Sequence, residues 1–457
     1  MSDAVDRGIT VTEMAPMVQA IDVSPETTAA FVGRTLRGPL NEPVLVRDMG
    51  EFRRRFGDIW SRSSLGPAVQ QFFEHGGQRL HIVRVSNNAR GALLCLPASG
   101  AALVLRAVEP GSTEFIRAAV DLDGLDLGDD QRFNLTLQRM DPATGHVIDQ
   151  ECYRRVSHRE DSDSFVGDVL LNSSMVRVER PYPGHRPDPT QGLFSTDTDA
   201  YIEQAQEGSD GDELSDYDLI GSSIDKTGLF ALSGIERLDV LYLPPPGRQR
   251  DLGAASLLAA EQFCRKHGAI LVVDPKREWK SAVRAIAGVR ELGLSSANAM
   301  SYFPLACVRS DEDRTPRAVG GAIAGLLCRL DRMKGPWAPL DHHGLSLSRD
   351  FMAVEDLSEG DIRLLTRHGL NAIAKGDIGK TRIAGSVTMD PSREPRRSIL
   401  PVRRLCLQVL AAIERATRWA VFESESRRAA DTVHAQVSAH MSALQGLGAL
   451  EPVYLSV

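Results

Sequence analysis

A glycine-rich stretch after a predicted strand is the first place in this sequence where residue types and spacing could bind phosphate. The stretch reads FVGRTLRGPL, with Gly33 and Gly38 separated by four residues. In a phosphate-binding loop the next two residues are Lys, which reaches the β- and γ-phosphates, and Ser or Thr, which binds Mg²⁺. Here they are Pro39 and Leu40, and proline offers neither a cation nor a backbone N–H. The spacing therefore predicts a turn between two strands, in which Gly38 can adopt a positive φ.

Two further stretches approach known ligand motifs but lack required residues. DKTGLF, at 225–230, has Leu229 where the phosphorylation motif of ion-pumping ATPases has threonine. The acidic run that starts at Asp210 has Ser215 at its sixth position and Gly221 at its twelfth, where a calcium loop needs Gly and Glu. We interpret the acidic run as a solvated loop with a helix cap, and we take neither stretch as a phosphorylation or calcium site.

Histidine and cysteine spacing does not indicate a metal centre. His342 and His343 are adjacent in DHHG, and the sequence contains no HExxH pattern. A G-x-S-x-G nucleophile motif is also missing. The cysteines are far apart and form no CxxC pair, which favours free thiols over a zinc site or a disulfide framework; they are Cys95, Cys152, Cys264, Cys307, Cys328 and Cys406. We therefore expect no catalytic residue, no metal and no cofactor.

The elements that surround these motifs indicate an α/β (α+β) core domain built from both halves of the chain. Strand-like runs alternate with helical patterns in residues 23–88 and again in residues 216–450. Near-continuous apolar runs such as AILVVD suit a sheet that is covered on both faces. Residues 89–190 instead show short alternating strands and predict an inserted, mostly β domain. Residues 191–215 are predicted to be a linker back to the core.

Both ends of the sequence carry strand-like arms. Residues 1–22 alternate apolar and polar positions, and residues 451–457 do so again. A lone terminal strand must pair with its own chain or with a neighbour. The residues expected in contacts between subunits are Ile9, Val11 and Glu13 in the first arm, and Val453, Leu455 and Val457 in the tail. Two amphipathic helices precede the tail.

Composition limits the classes of partner. The chain has 457 residues, a net charge of −8 and 42% hydrophobic residues, which is ordinary for globular domains. A mildly acidic chain without a basic field argues against nucleic acid as a partner. No apolar run approaches the roughly 20 residues that a membrane span requires, so we expect no direct membrane insertion. The N-terminus lacks the pattern of a secretory signal, and we expect the protein to be made in the cytoplasm.

Several stretches, in the same order along the chain, resemble contractile tail sheath proteins, which surround the tube of phage tails and related injection systems. TTAAFVGRTLRGPLNEPVLVRDMGEFRRRFG is similar to the opening strand-turn-strand of that family. LGPAVQQFFEHGGQRLHIVRV resembles its first helix and next strand, and GSDGDELSDYDLIG with KTGLFAL resembles its return to the core. RRSILPVRRLCLQVLAAIERATRWAVFES is similar to its late helix.

The resemblance implies a structural, non-enzymatic subunit of a virion or phage-tail-like particle. Such subunits form stacked hexameric rings around an inner tube protein and contact baseplate and cap proteins. Their arms pair with strands of neighbours by β-augmentation, which links a helical homopolymer. The final helices would face the tube, and the residues expected to meet an acidic tube surface are Arg403, Arg404, Arg415 and Arg418.

Two alternatives remain open at this point. Sheath proteins usually continue with further strands after the position of Gly448, Ala449 and Leu450, whereas here EPVYLSV follows. An adaptor or terminal subunit near the baseplate or cap is therefore one alternative. The other is an α/β enzyme or a small-molecule-binding protein whose site leaves no linear motif.

Overall fold

The computed structural model describes residues 21, 26–126, 128–142, 144–190, 200–310, 314–341, 345–376, 379–392, 394–422 and 427–450. The strands within these ranges are β1 (Ala29–Gly33), β2 (Pro43–Val46), β3 (Leu80–Arg84), β4 (Leu93–Ala98), β5 (Ala101–Ala107), β6 (Phe115–Asp121), β7 (Arg132–Met140), β8 (Val147–Ser157), β9 (Val176–Val178), β10 (Ile202–Glu203), β11 (Val240–Tyr242), β12 (Ile270–Val273), β13 (Ala299–Phe303), β14 (Ala306–Val308), β15 (Ser346–Leu347), β16 (Phe351–Ala353), β17 (Asn371–Lys375) and β18 (Thr381–Ala384).

The α-helices in the same ranges are α1 (Met49–Phe56), α2 (Leu65–Glu74), α3 (Val166–Val169), α4 (Asp216–Ile220), α5 (Ala254–His267), α6 (Ala282–Leu292), α7 (Gly320–Lys334), α8 (Glu359–Arg367), α9 (Pro395–Ser398), α10 (Leu400–Thr417) and α11 (Arg427–Gly446). Short 3₁₀ helices cover Leu170–Asn172, Gly228–Gly234 and Arg418–Phe422.

A nine-stranded sheet forms the core, in the order β15-β18-β17-β13-β12-β11-β1-β3-β2. The central strands β3, β1, β11, β12, β13 and β17 are parallel, and antiparallel strands complete both edges. The three strands from before residue 88 form one side of the sheet and the six from after residue 216 form the other, and the two groups join where β1 pairs with β11. The mixed α/β core drawn from both halves of the chain agrees with the sequence-based expectation.

Helices cover both faces of this sheet. Phe31 and Tyr242 point to the face packed by α2 and α7, and their rings meet edge to face at a centroid distance of 5.1 Å. Leu241 and Leu271 point to the opposite face, which α5 covers with Leu257 among others. Because successive side chains of a strand point to opposite faces, both sets must be apolar, which explains the unbroken apolar runs in the sequence.

Two smaller antiparallel sheets lie between β3 and β11 in the sequence. One has the order β10-β6-β7-β8 and the other the order β4-β5-β9. They share a hydrophobic cluster of their own, which includes Leu94, Leu105, Phe133 and Val176. In β4 and β5 buried residues alternate with more exposed ones, because these strands turn one face to the cluster, and this is the reason for their alternating sequence pattern.

The chain that returns from these sheets differs from the predicted linker at 191–215. Its described part includes β10, and further along it forms antiparallel bridges from Gln206 to Leu93, from Ser209 to Arg90 and from Asp212 to Asn87. The returning segment runs beside the entering one, so their backbone groups pair instead of staying solvated.

The glycine-rich stretch forms a turn, as expected. Gly38 has a φ of 104°, and its N–H donates to Glu109 Oε2 at 2.8 Å. Arg84, only 2% exposed, donates from Nη1 to Gly38 O at 2.6 Å and from Nη2 to Pro110 O at 2.5 Å. The turn is therefore fastened to the junction between the core and the smaller sheets.

Candidate functional site: a basic groove beside helix α10

A groove of about 650 Å³ lies at the amino ends of the central parallel strands. Thr27 precedes β1, Asp239 precedes β11 and Ile270 begins β12, and all three line its floor. Helix α10 forms one wall with Leu407 and Ala411. Since all these strands are parallel, the topology alone brings their first residues to the same edge of the sheet.

Helix α10 is fixed against the core at its amino end. Pro401 lies in its first turn, where a missing backbone N–H costs no hydrogen bond. Leu400 is 1% exposed and belongs to the core cluster, and Leu407 packs against the same cluster two turns later. The second half of the helix is more open, because Leu410 is 63% exposed. The wall of the groove is therefore anchored at one end and accessible at the other.

A buried ion pair joins α10 to the floor of the groove. The Arg404 guanidinium binds both carboxylate oxygens of Asp331 on α7, with Nη1 donating to Oδ1 at 2.8 Å. Thr27 Oγ1 donates to the same carboxylate. Burial alone would lower the pKa of Arg404, but the Asp331 charge and hydrogen bonds outweigh it, so the pKa is raised. Through this cluster Asp331 connects α7 to α10 and to Thr27, which lies just before β1.

A second polar pair lies next to it on the floor. The Asp239 carboxylate accepts hydrogen bonds from the Thr28 N–H at 2.8 Å and from Arg237 Nε at 2.9 Å. Burial raises the pKa of Asp239, and the Arg237 charge and the Thr28 hydrogen bond partly offset this. Both carboxylates on the floor are thus neutralised by residues of the same chain.

The cations that remain give the groove a positive surplus. Seven Arg and Lys side chains line it, against four carboxylates. Within the described part of the chain, no ion-pair partner is found for Arg265, Lys266 or Arg415, and Arg403 donates only to the amide oxygen of Asn298, at 2.7 Å. Burial lowers the pKa of Arg403. The arrangement suits a partner that carries carboxylates.

All four arginines predicted from the sequence line this one groove, but they differ in exposure. Arg418 is 66% exposed and lies 3.8 Å from Glu414, one turn away, so this surface pair contributes little. Arg415 is half-buried. Arg404 is enclosed by the chain itself, with its side chain 6% exposed, which corrects the expectation that it faces a partner. Its charge is already matched by Asp331.

The predicted arm residues lie outside the described part of the chain. This applies to Ile9, Val11 and Glu13 and equally to Val453, Leu455 and Val457. The predictions about them stay predictions. His342 and His343 also fall outside it.

Sequence reasoning missed Arg265 and Lys266 as members of the groove. RKHG at the end of α5 is a usual helix end, with cations in the last turn and Gly268 at a φ of 70°. Nothing in the local pattern shows that this end lies beside α10, since that proximity depends on the strand order. Asp331 was likewise not recognisable, because an acidic residue late in an apolar helix has no motif.

A smaller cavity of about 470 Å³ opens at the opposite, carboxyl end of β11 and β12. Its polar floor groups serve the fold: Tyr242 donates to Asp274 at 2.5 Å, and the Gly320 N–H donates to the same carboxylate at 3.0 Å. Among the described residues no cluster of His, Cys, Asp or Glu could hold a metal. No helix within these residues is both long enough and apolar enough to cross a membrane.

Comparison with solved structures identifies the fold. A sheath tail protein from Listeria innocua has a TM-score of 0.61 at 10% identity, over 95% of this chain and 88% of that one. The sheath complex of an extracellular contractile injection system in its contracted state has a TM-score of 0.54 at 11% identity, over 99% and 85%. A chain of the anti-feeding prophage baseplate has a TM-score of 0.51 at 14% identity, over 99% and 86%.

These likenesses confirm the resemblance at the level of the fold, which is that of contractile tail sheath proteins over almost the whole chain. No family model matches the sequence, and no curated protein matches it. At identities of 10 to 14% the fold is preserved while the sequence is not.

Proposed function

We propose that this chain is a structural subunit of a contractile sheath. Copies of it polymerise around the inner tube of a phage tail or a phage-tail-like injection system, and the sheath contracts to drive the tube through a target envelope. The observation that carries the proposal is the sheath fold, which extends over 95 to 99% of the chain.

The surface of the last two helices supports a covered position in an assembly. Large apolar side chains are exposed on these helices and next to them: Leu410 on α10 at 63%, Val421 in the 3₁₀ helix after it at 81%, and Leu447 directly after α11 at 57%. Exposed apolar groups beside charged ones are typical of contact surfaces. We propose that the outer half of α10 faces the inner tube, and that Arg415 and Arg418 meet carboxylates of the tube protein.

The remaining parts of the chain have distinct roles in this proposal. The inserted β-rich domain, residues 89–190, faces outward. The arms contact neighbouring subunits through Ile9, Val11 and Glu13 and through Val453, Leu455 and Val457, and so link stacked hexameric rings. A metastable extended lattice supplies the energy of contraction, and no bound nucleotide is needed. The turn at Gly38, with no lysine after it, is consistent with this.

A second candidate is an adaptor or terminal subunit at the baseplate or cap. The fold likeness to a chain of the anti-feeding prophage baseplate supports it. An adaptor would form rings or bind the end of a sheath, whereas a sheath subunit would form long tubes on its own or around a tube protein.

Electron microscopy of the purified chain, with and without residues 1–15, tests the proposal. A sheath subunit with full arms forms striated tubes or stacked rings, because head-to-tail contacts generate helical polymers. The shortened chain is expected to keep its circular dichroism spectrum and to lose the polymer. Isolated rings without stacking would favour the adaptor, and tubes formed by the shortened chain would show that the first arm does not link subunits.

A further inference from the structure

The cavity at the carboxyl end of β11 and β12 lies where the strand order of the core sheet reverses. The next parallel strand after β1 is β3 on one side, whereas β11, β12 and β13 continue on the other side. Helix α2 covers one face of the sheet and α5 covers the opposite face. Ala68 of α2 and Leu257 of α5 both line the cavity. It is therefore a crevice between the two halves of the sheet, which is where open α/β sheets bind small ligands.

The inner wall of this cavity is apolar and buried. Val272 is 3% exposed, Leu257 5% and Phe351 7%, and all three belong to the lining. Small-molecule sites combine such walls with a few polar groups, in volumes of about 300 to 1,000 Å³. The cavity of about 470 Å³ lies in this range. Its wall suits the apolar ring system of a small molecule.

One polar group in the wall has a hydrogen-bonding capacity that the fold does not use. The Gln71 side chain lines the cavity and is 7% exposed, and its Nε2 donates to Ala318 O at 3.0 Å. This bond fixes the amide, while Gln71 Oε1 receives no hydrogen bond from the described residues. A buried acceptor without a donor destabilises a fold. An N–H or O–H group of an occupant would be the missing partner.

The mouth of the cavity carries two cations without a counter-charge. Arg248 follows β11 and is exposed, and Lys276 follows β12 and is half-buried. Neither has an ion-pair partner within the ranges that the structure describes, whereas Arg277 beside them contacts Asp251. Arg277 Nη2 also donates to Arg248 O and so connects the two loops.

The carboxylates of the cavity do not provide that counter-charge. Each one among the described lining residues already accepts a hydrogen bond from the chain itself; they are Glu74, Asp251, Asp274 and Asp350. An acidic group on an occupant would instead lie between Arg248 and Lys276, at the open side of the apolar wall.

We propose that this cavity binds a small organic anion. The molecule has an apolar ring system against Val272 and Phe351, an N–H or O–H donor for Gln71 Oε1, and one acidic group for Arg248 and Lys276. The site lies within a single copy of the chain, so the proposal is independent of sheath assembly. An occupant connects α2 to the loops after β11 and β12, and it stabilises the folded chain by mass action.

Titration with anilinonaphthalene sulfonate tests the site, because this probe has an aromatic body, one N–H donor and one sulfonate. The unassembled full-length protein is expected to bind one probe molecule per chain, with saturable fluorescence. Arg248→Ala with Lys276→Ala should weaken binding about tenfold, since the sulfonate loses both counter-charges. The matched control is Arg265→Ala with Lys266→Ala at the opposite end of the sheet, which should leave binding within about twofold. Equal effects of both pairs would contradict the proposal.

A second probe tests the donor without changing the protein. In phenoxynaphthalene sulfonate an ether oxygen replaces the N–H, while the ring system and the sulfonate stay. It is expected to bind about fivefold more weakly, because Gln71 Oε1 keeps no donor. Equal affinities of the two probes would show that Gln71 takes no part in binding and would overturn the proposal.

The exposed apolar surface of α10 is the competing place for an aromatic probe. Leu410→Ser removes the large apolar side chain there, and probe binding is expected to stay unchanged. A loss of binding in this variant would place the probe on α10 and refute the cavity site. Tubes formed by a protein that binds no probe would leave the sheath proposal standing, and probe binding by a chain that never forms tubes would do the reverse.

Discussion

Asp331 is the residue on which the buried junction between α7 and α10 depends. Its carboxylate holds Arg404 and Thr27 at once, and its side chain is 2% exposed. Asp331→Asn is expected to lower the free energy of unfolding by about 3 to 5 kcal/mol, because the Arg404 charge is left buried without its counter-charge. Chemical denaturation of the unassembled protein measures this.

A double variant separates the stability lost with the ion pair itself from the cost of leaving the Arg404 charge buried without a partner. Asp331→Leu with Arg404→Met removes both charges and should recover most of the stability that Asp331→Asn loses. If Asp331→Asn costs less than about 1 kcal/mol, Arg404 is not held as described.

Asp274, at the other end of the sheet, makes the free energy of unfolding depend on pH. Burial raises its pKa from 3.8 to about 6. The folded chain therefore binds a proton that the unfolded chain releases between these values, and stability from this group falls as the pH rises through that window. A shift of about two pKa units changes the free energy of unfolding by at most about 3 kcal/mol.

The variant Asp274→Asn cannot titrate, so its stability relative to the wild type should rise between pH 4 and pH 6, on the order of 1 to 3 kcal/mol. Urea unfolding at a series of pH values shows this. Parallel stability profiles of the two proteins would mean that the Asp274 carboxyl titrates equally in the folded and unfolded states.

At the scale of elements, the turn between β1 and β2 joins the core to the smaller sheets. A Cβ at Gly38 would lie 2.7 Å from Phe56 Cδ1 while φ is 104°. Gly38→Ala is expected to cost about 2 to 4 kcal/mol through strain and overpacking together. The matched control is Gly100→Ala, where φ is 85° and nothing lies within 4 Å; it should cost about 1 to 2 kcal/mol.

Thermal unfolding of both glycine variants reads out the difference. Equal losses of stability in the two variants would show that the positive φ alone sets the cost, and that the packing of Phe56 against the turn adds nothing.

The local sequence predicts individual turns and strands well, but it predicts poorly which distant segments pair with them in space. The turn at Gly38 follows from a glycine and proline with defined backbone preferences. The covered sheet follows from apolar runs such as Ile270–Val273, which is fully buried. By contrast, the pairing of residues 206 to 212 with residues 87 to 93 carries no local signal, because backbone hydrogen bonds between distant segments do not depend on side-chain type.

The same contrast holds for the whole molecule and its candidate site. Arg403, Arg404, Arg415 and Arg418 could be selected from the sequence because they lie along one continuous helical stretch, formed by α10 and the 3₁₀ helix that begins at Arg418. The inward orientation of Arg404 could not be predicted from the sequence, because its partner Asp331 lies on a different helix, 73 residues away. The groove exists only because strand order brings the amino ends of β1, β11 and β12 together beneath α10.

The central claim is that this chain forms a helical sheath with α10 on the inside. A helical reconstruction of the assembled full-length protein by electron cryomicroscopy tests it most directly. The account predicts a hollow polymer whose lumen is lined by the outer half of α10, with Arg415 and Arg418 facing inward and β6, β7 and β8 on the outer surface. A polymer lined by the β-rich sheets, or a chain that stays monomeric at every concentration and salt condition tested, would contradict it.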